Sequence, residues 1–94
     1  MATRFEWDPE KAAGNLAKHG VDFEIAKDAF LDLDAWTEID DGDPHEERWR
    51  LIGLVGGRVL FIVHRELDND VIRIISARKA NKREEQTYFG QTAP

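Results

Sequence analysis

Three β-rich runs joined by two short turns constrain this chain more than any other feature. Residues 48–55 and 58–65 flank Gly56-Gly57, and residues 71–77 follow the turn Leu67-Asp68-Asn69-Asp70. Paired glycines between two such runs signal a two-residue hairpin, because both central positions need positive φ. Strands joined by turns this short are antiparallel neighbours. The chain is therefore committed to a meander, and its other segments must cover that sheet.

The preceding segments supply the cover. Residues 4–7, Arg-Phe-Glu-Trp, read as a short edge strand with Phe5 and Trp7 on one side. Asp8 is placed to cap a helix, and Pro9 suits the first helical position. Ala12, Ala13, Leu16 and Ala17 form a narrow apolar stripe, and Gly20 supplies the left-handed residue that stops the helix. Asp22 caps a second helix whose inner face would be Phe23, Ala26, Phe30 and Leu33, at offsets 0, 3, 7 and 10. A strand follows around residues 35–39, then a loop through Asp40-Asp41-Gly42-Asp43-Pro44-His45. Residues 81–89 read as a closing helix anchored by Tyr88 and Phe89. The expected order is β-α-α-β-β-β-β-α, an α+β domain with two N-terminal helices on a twisted antiparallel sheet. Ninety-four residues leave room for one domain, residues 1–94.

The chain has no cysteine, which excludes disulfide scaffolds, thiolate metal sites and cysteine nucleophiles. Its longest apolar runs are a handful of residues, far short of a membrane span, and no export signal opens it. A cytoplasmic protein without membrane attachment is expected. The net charge is −6, but it is unevenly spread. Residues 1–47 carry 14 acidic and 4 basic side chains, and residues 48–94 carry 5 and 9, so the halves balance at −10 and +4. Residues 28–47 hold nine acids and no Lys or Arg. A chain polarised in this way can meet a polyanion with one surface and repel it with the other, or meet two partners of opposite charge.

The motifs of common catalytic sites are missing. His19, His45 and His64 lie on different elements without metal-ligand spacing. Asp40, Asp41, Asp43 and His45 could hold a hard cation only loosely, so no metal site is assigned. The glycines do not precede a helix as a phosphate cradle requires, and the single serine, Ser76, lies within a strand. What stands out is arginine on the meander: Arg48, Arg50, Arg58, Arg65, Arg73 and Arg78, followed by Lys79, Lys82 and Arg83. A guanidinium stays charged and matches phosphate oxygens with two donors at once. If Arg65 opposes Ile72, then Arg65, Phe61 and Arg78 share a face; a one-residue shift brings in Arg73 and sends Arg78 away. Alternatively, these arginines are simply outward residues paired with Glu6, Glu46, Glu47 or Glu66. Lys11, Asn15 and Lys18 line one side of the first helix beside His19, as a phosphate-binding extension or as a solvated face.

A family resemblance rests on two motifs. The opening Phe5-Glu6-Trp7-Asp8-Pro9-Glu10-Lys11, Asn15 and Lys18-His19-Gly20-Val21-Asp22-Phe23 resembles the start of BrnT-type toxins of bacterial type II toxin–antitoxin pairs. So does the second part, with Glu47-Arg48-Trp49, Ile52-Gly53, Ile72-Arg73-Ile74-Ile75-Ser76-Ala77-Arg78-Lys79-Ala80, Lys82-Arg83-Glu84 and Tyr88. The resemblance implies a RelE-like fold and a cofactor-free endoribonuclease that cleaves RNA and inhibits translation. It also implies a BrnA-type ribbon-helix-helix antitoxin, and operator DNA met only through that complex. Carried onto these positions, Arg65 and Arg78 would stabilise the phosphorane, while Lys11 or His19 would transfer protons. Arg48, Arg50, Arg73, Lys18, Lys79 and Tyr88 would hold RNA. The alternative is a toxin-fold binding module without catalysis that serves its antitoxin as a co-repressor scaffold.

Overall fold

The computed structural model describes residues 3–90. The elements run β1 (Arg4–Glu6), α1 (Pro9–His19), α2 (Phe23–Ala26), a 3₁₀ helix (Lys27–Leu31), β2 (Trp36–Asp40), β3 (Arg48–Val55), β4 (Arg58–Leu67), β5 (Val71–Lys79) and α3 (Lys82–Gly90). The five strands form one sheet in the order β1-β5-β4-β3-β2. Strands β2 to β5 pair antiparallel, and β1 adds to the β5 edge in parallel. Gly56 and Gly57 turn the β3–β4 hairpin with φ of 55° and 82°; Asn69 and Asp70 turn the next with φ of 63° and 59°.

Helix α1 begins and ends on its capping residues. The Asp8 carboxylate accepts the Glu10 N–H at 2.8 Å, and Gly20 sits at φ 70° with its N–H on the Leu16 carbonyl. Its inner face differs from the apolar stripe. Leu16 is half exposed, Ala13 and Ala17 are exposed, and the buried residue is Asn15. The Asn15 amide donates to the Val21 and Ala77 carbonyls at 3.0 and 2.8 Å and accepts the Ala77 N–H at 3.1 Å. β1 pairs only with residues Val71, Ile72 and Arg73, so at Ala77 the side of β5 away from β4 has no strand beside it. There the side chain stands in for a neighbouring strand, satisfying a backbone donor and acceptor that burial would otherwise orphan.

The second helix is shorter than its spacing suggests. It makes one turn, Phe23–Ala26, tightens into the 3₁₀ helix, and stops where Asp32 becomes extended at ψ 114°. Asp32 takes the Asp34 and Leu54 N–H groups on its carboxylate, at 2.9 and 2.8 Å. That break leaves Leu33 fully exposed instead of on the inner face. Gly53 permits the close approach: a Cβ there would lie 3.0 Å from the Ala29 carbonyl oxygen.

The sheet's two faces are built differently. On one, α1, α2 and the 3₁₀ helix bury Val21, Phe23, Ala26 and Ala29 against Leu51, Leu60, Ile62, Ile74 and Ala77. Phe5 and Trp7 meet Phe30 and Phe23 there, with centroids 5.2 and 5.9 Å apart. His64 is fully buried on this face, edge-on to Phe30 at 4.9 Å. On the other, α3 rests Tyr88 on a smaller cluster of Ile52, Val59 and Ala80, flanked by Trp36 and Phe61. Phe89, expected as a second anchor, is more than half exposed.

Candidate nucleic-acid interface

Register decides which arginines meet. Arg65 opposes Arg73, not Ile72, as in the shifted alternative. Yet Arg78 is not sent away. The pairs Val63↔Ser76 and His64↔Ile74 skip Ile75, a bulge on β5. The extra residue resets the alternation, so Arg65 and Arg73 share a face with Phe61 and Arg78. Arg48 and Arg50 join them, opposite Asp40 and Glu38 of β2. Five arginines from three strands therefore lie on the face that carries α3.

Each of these arginines holds a carboxylate. Arg78 makes a two-pronged pair with Glu84, 2.8 Å on each arm, and its guanidinium lies 4.2 Å above the Phe61 ring. The hydrogen bonds it donates to Glu84 raise the Arg78 pKa above its ordinary value. Glu84 itself is largely buried, which alone would raise its pKa. Arg78, the Asn81 backbone N–H and the charge of Arg50 outweigh burial and hold it below the usual carboxylate range. Glu84 and Asn81 also cap α3 reciprocally, at 2.9 and 2.8 Å. Arg50 pairs with Glu38 across the strands. Glu46 serves Arg48 at 3.0 Å and Arg65, whose Nε lies 2.9 Å away but out of line for a hydrogen bond. Asp43 stands 3.6 Å from Arg48, and Arg73 binds Glu6 at 2.7 Å. The pairing alternative read from the sequence thus holds for Glu6 and Glu46, with Glu38 and Glu84 added. Glu66 instead sits 3.4 Å from His64.

The structure groups Arg50 with Arg78 around Glu84, groups Arg48 with Arg65 around Glu46, and leaves Arg73 near the β1 edge. Lys11, Lys18 and His19 are exposed on α1, which covers the opposite face, and none is joined to these arginines. Asn15, read with them as a polar stripe, is structural. Tyr88 corrects its expected place at the RNA surface. It is buried, its hydroxyl donates to Asp32 at 2.6 Å, and that bond pushes its pKa up to about 12. Asp32 in turn lies below the usual carboxylate range: burial would raise it, but Tyr88 and the Leu54 and Asp34 N–H groups prevail.

Sequence reasoning missed a cleft. It opens on the arginine face between the sheet and α3, about 280 Å³, lined by Trp36, Glu38, Arg50, Ile52, Phe61, Arg83, Glu84 and Thr87. Arg83 has no ion pair among the described residues, nor have Arg58, Lys79 and Lys82. Leu60 opposes Lys79 and Val55 opposes Arg58, so these two cations lie on the helical face, apart from the arginines, which corrects the expected place of Lys79 at the RNA surface, while Arg83 lines the cleft. The alternation of residues 36, 38, 50 and 52 was the available signal, but it needed the β2–β3 register. The acidic loop forms a separate, open pocket through Asp40, Asp41, Asp43 and His45. No group of three or more His, Asp or Glu residues among the described residues is placed to hold a metal ion. No described helix is long and apolar enough to cross a membrane.

The family model described as the ribonuclease toxin BrnT of type II toxin–antitoxin systems matches residues 7–84. The chain belongs to the BrnT family. Its α+β fold is similar to the crystal structure of the Brucella abortus ribonuclease toxin BrnT, with a TM-score of 0.66 and 24% identity. That match covers 86% of this chain and 100% of the other. No curated protein matches the chain at a significant level. The BrnT match spans both the helical cover and the arginine-bearing strands, stopping at Glu84.

Proposed function

We propose that this chain is a single-domain toxin of RelE-like fold that acts in the cytoplasm as a metal-independent endoribonuclease. A BrnA-type ribbon-helix-helix antitoxin neutralises it, and operator DNA is met only through that complex. The observation that carries the reading is the gathering of Arg48, Arg50, Arg65, Arg73 and Arg78 on one sheet face, in a chain of a ribonuclease-toxin family. In this chemistry the RNA 2′-hydroxyl loses its proton and its oxygen attacks the adjacent phosphorus. The P–O5′ bond breaks, the 5′-oxygen takes up a proton, and a 2′,3′-cyclic phosphate remains. Arg78 and Arg65 stabilise the charge of the crowded phosphorane, and Arg50 and Arg48 position the strand. A guanidinium has five donors and a carboxylate engages two, so Arg78 can keep Glu84 as its orienting partner while it donates to phosphate. Lys11 and His19 have no place in this arrangement, because their helix covers the other face.

The test uses the full chain freed of antitoxin, a labelled single-stranded RNA, and EDTA in the buffer. Cleavage to cyclic-phosphate ends is expected, and loss of that cleavage in Arg78→Ala. One observation favours a second reading: all five strand arginines of the face already hold a carboxylate. A chain that binds its antitoxin tightly yet leaves RNA intact would be the co-repressor scaffold instead.

A further inference from the structure

The cleft between β2, β3 and α3 has a composition that phosphate clamping alone does not explain. Trp36, Ile52 and Phe61 give it aromatic and aliphatic surface, Glu38 and Glu84 line it already paired with Arg50 and Arg78, and Arg83 lines it unpaired among the described residues. Phe61 is already covered by the Arg78 guanidinium. Trp36 is not: among the described residues no ring and no guanidinium lies on its indole. It is only half-buried, on the outermost strand, one row from the Arg50–Glu38 pair. An open indole beside arginines is the arrangement by which proteins hold an unstacked base of a single strand.

Size and charge narrow the occupant. A volume of about 280 Å³ falls just below the usual range for small-molecule pockets and is enough for a planar base. Arg83, which lines the cleft, has no ion pair among the described residues, so a phosphate flanking that base meets free positive charge there. A protein side chain could also enter the cleft, but the unpaired Arg83 favours a polyanion. We propose that the Trp36 cleft is a nucleobase subsite, in which one base of single-stranded RNA stacks on Trp36 while Arg83 holds an adjoining phosphate. This rests on the ribonuclease reading and adds to it the point at which the enzyme grips a base beside the scissile bond.

The experiment titrates the full, antitoxin-free chain with the four ribonucleoside 5′-monophosphates, with ribose 5-phosphate as the base-free probe. The chain has three tryptophans, so the fluorescence of wild type is compared with that of Trp36→Phe. Saturable quenching by nucleotides is expected, with none by ribose 5-phosphate and none in Trp36→Phe. In Trp36→Ala, calorimetric affinity for the nucleotide should fall about tenfold, as for loss of one stacked base. With an RNA substrate, Trp36→Ala should raise KM and leave kcat near wild type, and Arg83→Ala should do the same. Quenching that persists in Trp36→Phe, or that ribose 5-phosphate reproduces, overturns the subsite. So does a Trp36→Ala variant that loses antitoxin binding but keeps nucleotide affinity. Failure of wild type to cleave RNA counts against the ribonuclease reading, while the nucleotide titration judges the subsite separately.

Discussion

The two faces of the sheet are held by opposite physics. On the helical face, Phe23, Leu60, Ile62 and Ile74 are fully buried and gain stability in proportion to the apolar area withdrawn from water. On the arginine face, the smaller cluster under α3 is Ile52, Val59, Ala80 and Tyr88, and around it lie partly exposed ion pairs. Such pairs contribute little to stability, a median below about 1 kcal/mol each. The helical face is therefore where substitutions should unfold the protein. The arginine face is where they should change what it does. A side chain whose removal costs much activity and little stability belongs to the second face.

The sharpest break of that division is Arg78→Ala, which should lower RNA cleavage about a hundredfold or more in initial-rate assays. The folded fraction at working temperature should remain near that of wild type. Arg78→Lys should rescue little, because a lysine cannot reproduce the two-pronged geometry. Next is Asn15→Ala on the helical face. It strands the Ala77 N–H and carbonyl at the β5 edge and should cost about 2–4 kcal/mol in urea unfolding, with activity per folded molecule unchanged. A third effect comes from His64, whose pKa is lowered by burial, with Glu66 only partly opposing. The unfolded chain then binds the proton more readily than the fold does. Stability should be complete above pH 6.5, the ordinary histidine value, and should fall as the pH drops from there towards the folded pKa. Unfolding curves for His64→Leu should lose that slope. Tyr88→Phe removes the hydroxyl donated to Asp32 and should cost about 1–2 kcal/mol, loosening α3. Smallest of all, Lys11→Ala and His19→Ala should leave cleavage within about twofold, and a larger loss would dissolve the distinction between the faces.

The sequence made some of this legible and hid the rest for identifiable reasons. Asp8, Pro9 and Gly20 bracket α1 because capping is local chemistry, satisfied within a few residues. The α+β class follows similarly from turns at Gly56-Gly57 and residues 67–70. Asn15 was misread because a polar residue at helical spacing looks solvated until a strand edge 62 residues away needs its amide. Leu33 was placed on a helix face that Asp32 ends by taking the Leu54 N–H, a partner 22 residues on. The arginines were visible as a cluster, but their carboxylates were only partly so. Glu84 and Glu38 reach Arg78 and Arg50 through an α3 docking and a β2 register that no local pattern encodes. Trp36 escaped notice because its neighbours in the cleft come from three other elements.

The unpaired Ile75 has a reach beyond its own position. It works as a phase-setter: upstream of it β5 counts odd residues outward, and downstream it counts even ones. Were Ile75 paired in regular alternation instead of bulging, the residues after it would exchange destinations, presenting Ala77 to water and driving a guanidinium into oil. The pairing of one residue, as much as the strand's composition, thus decides whether this surface can greet an anion.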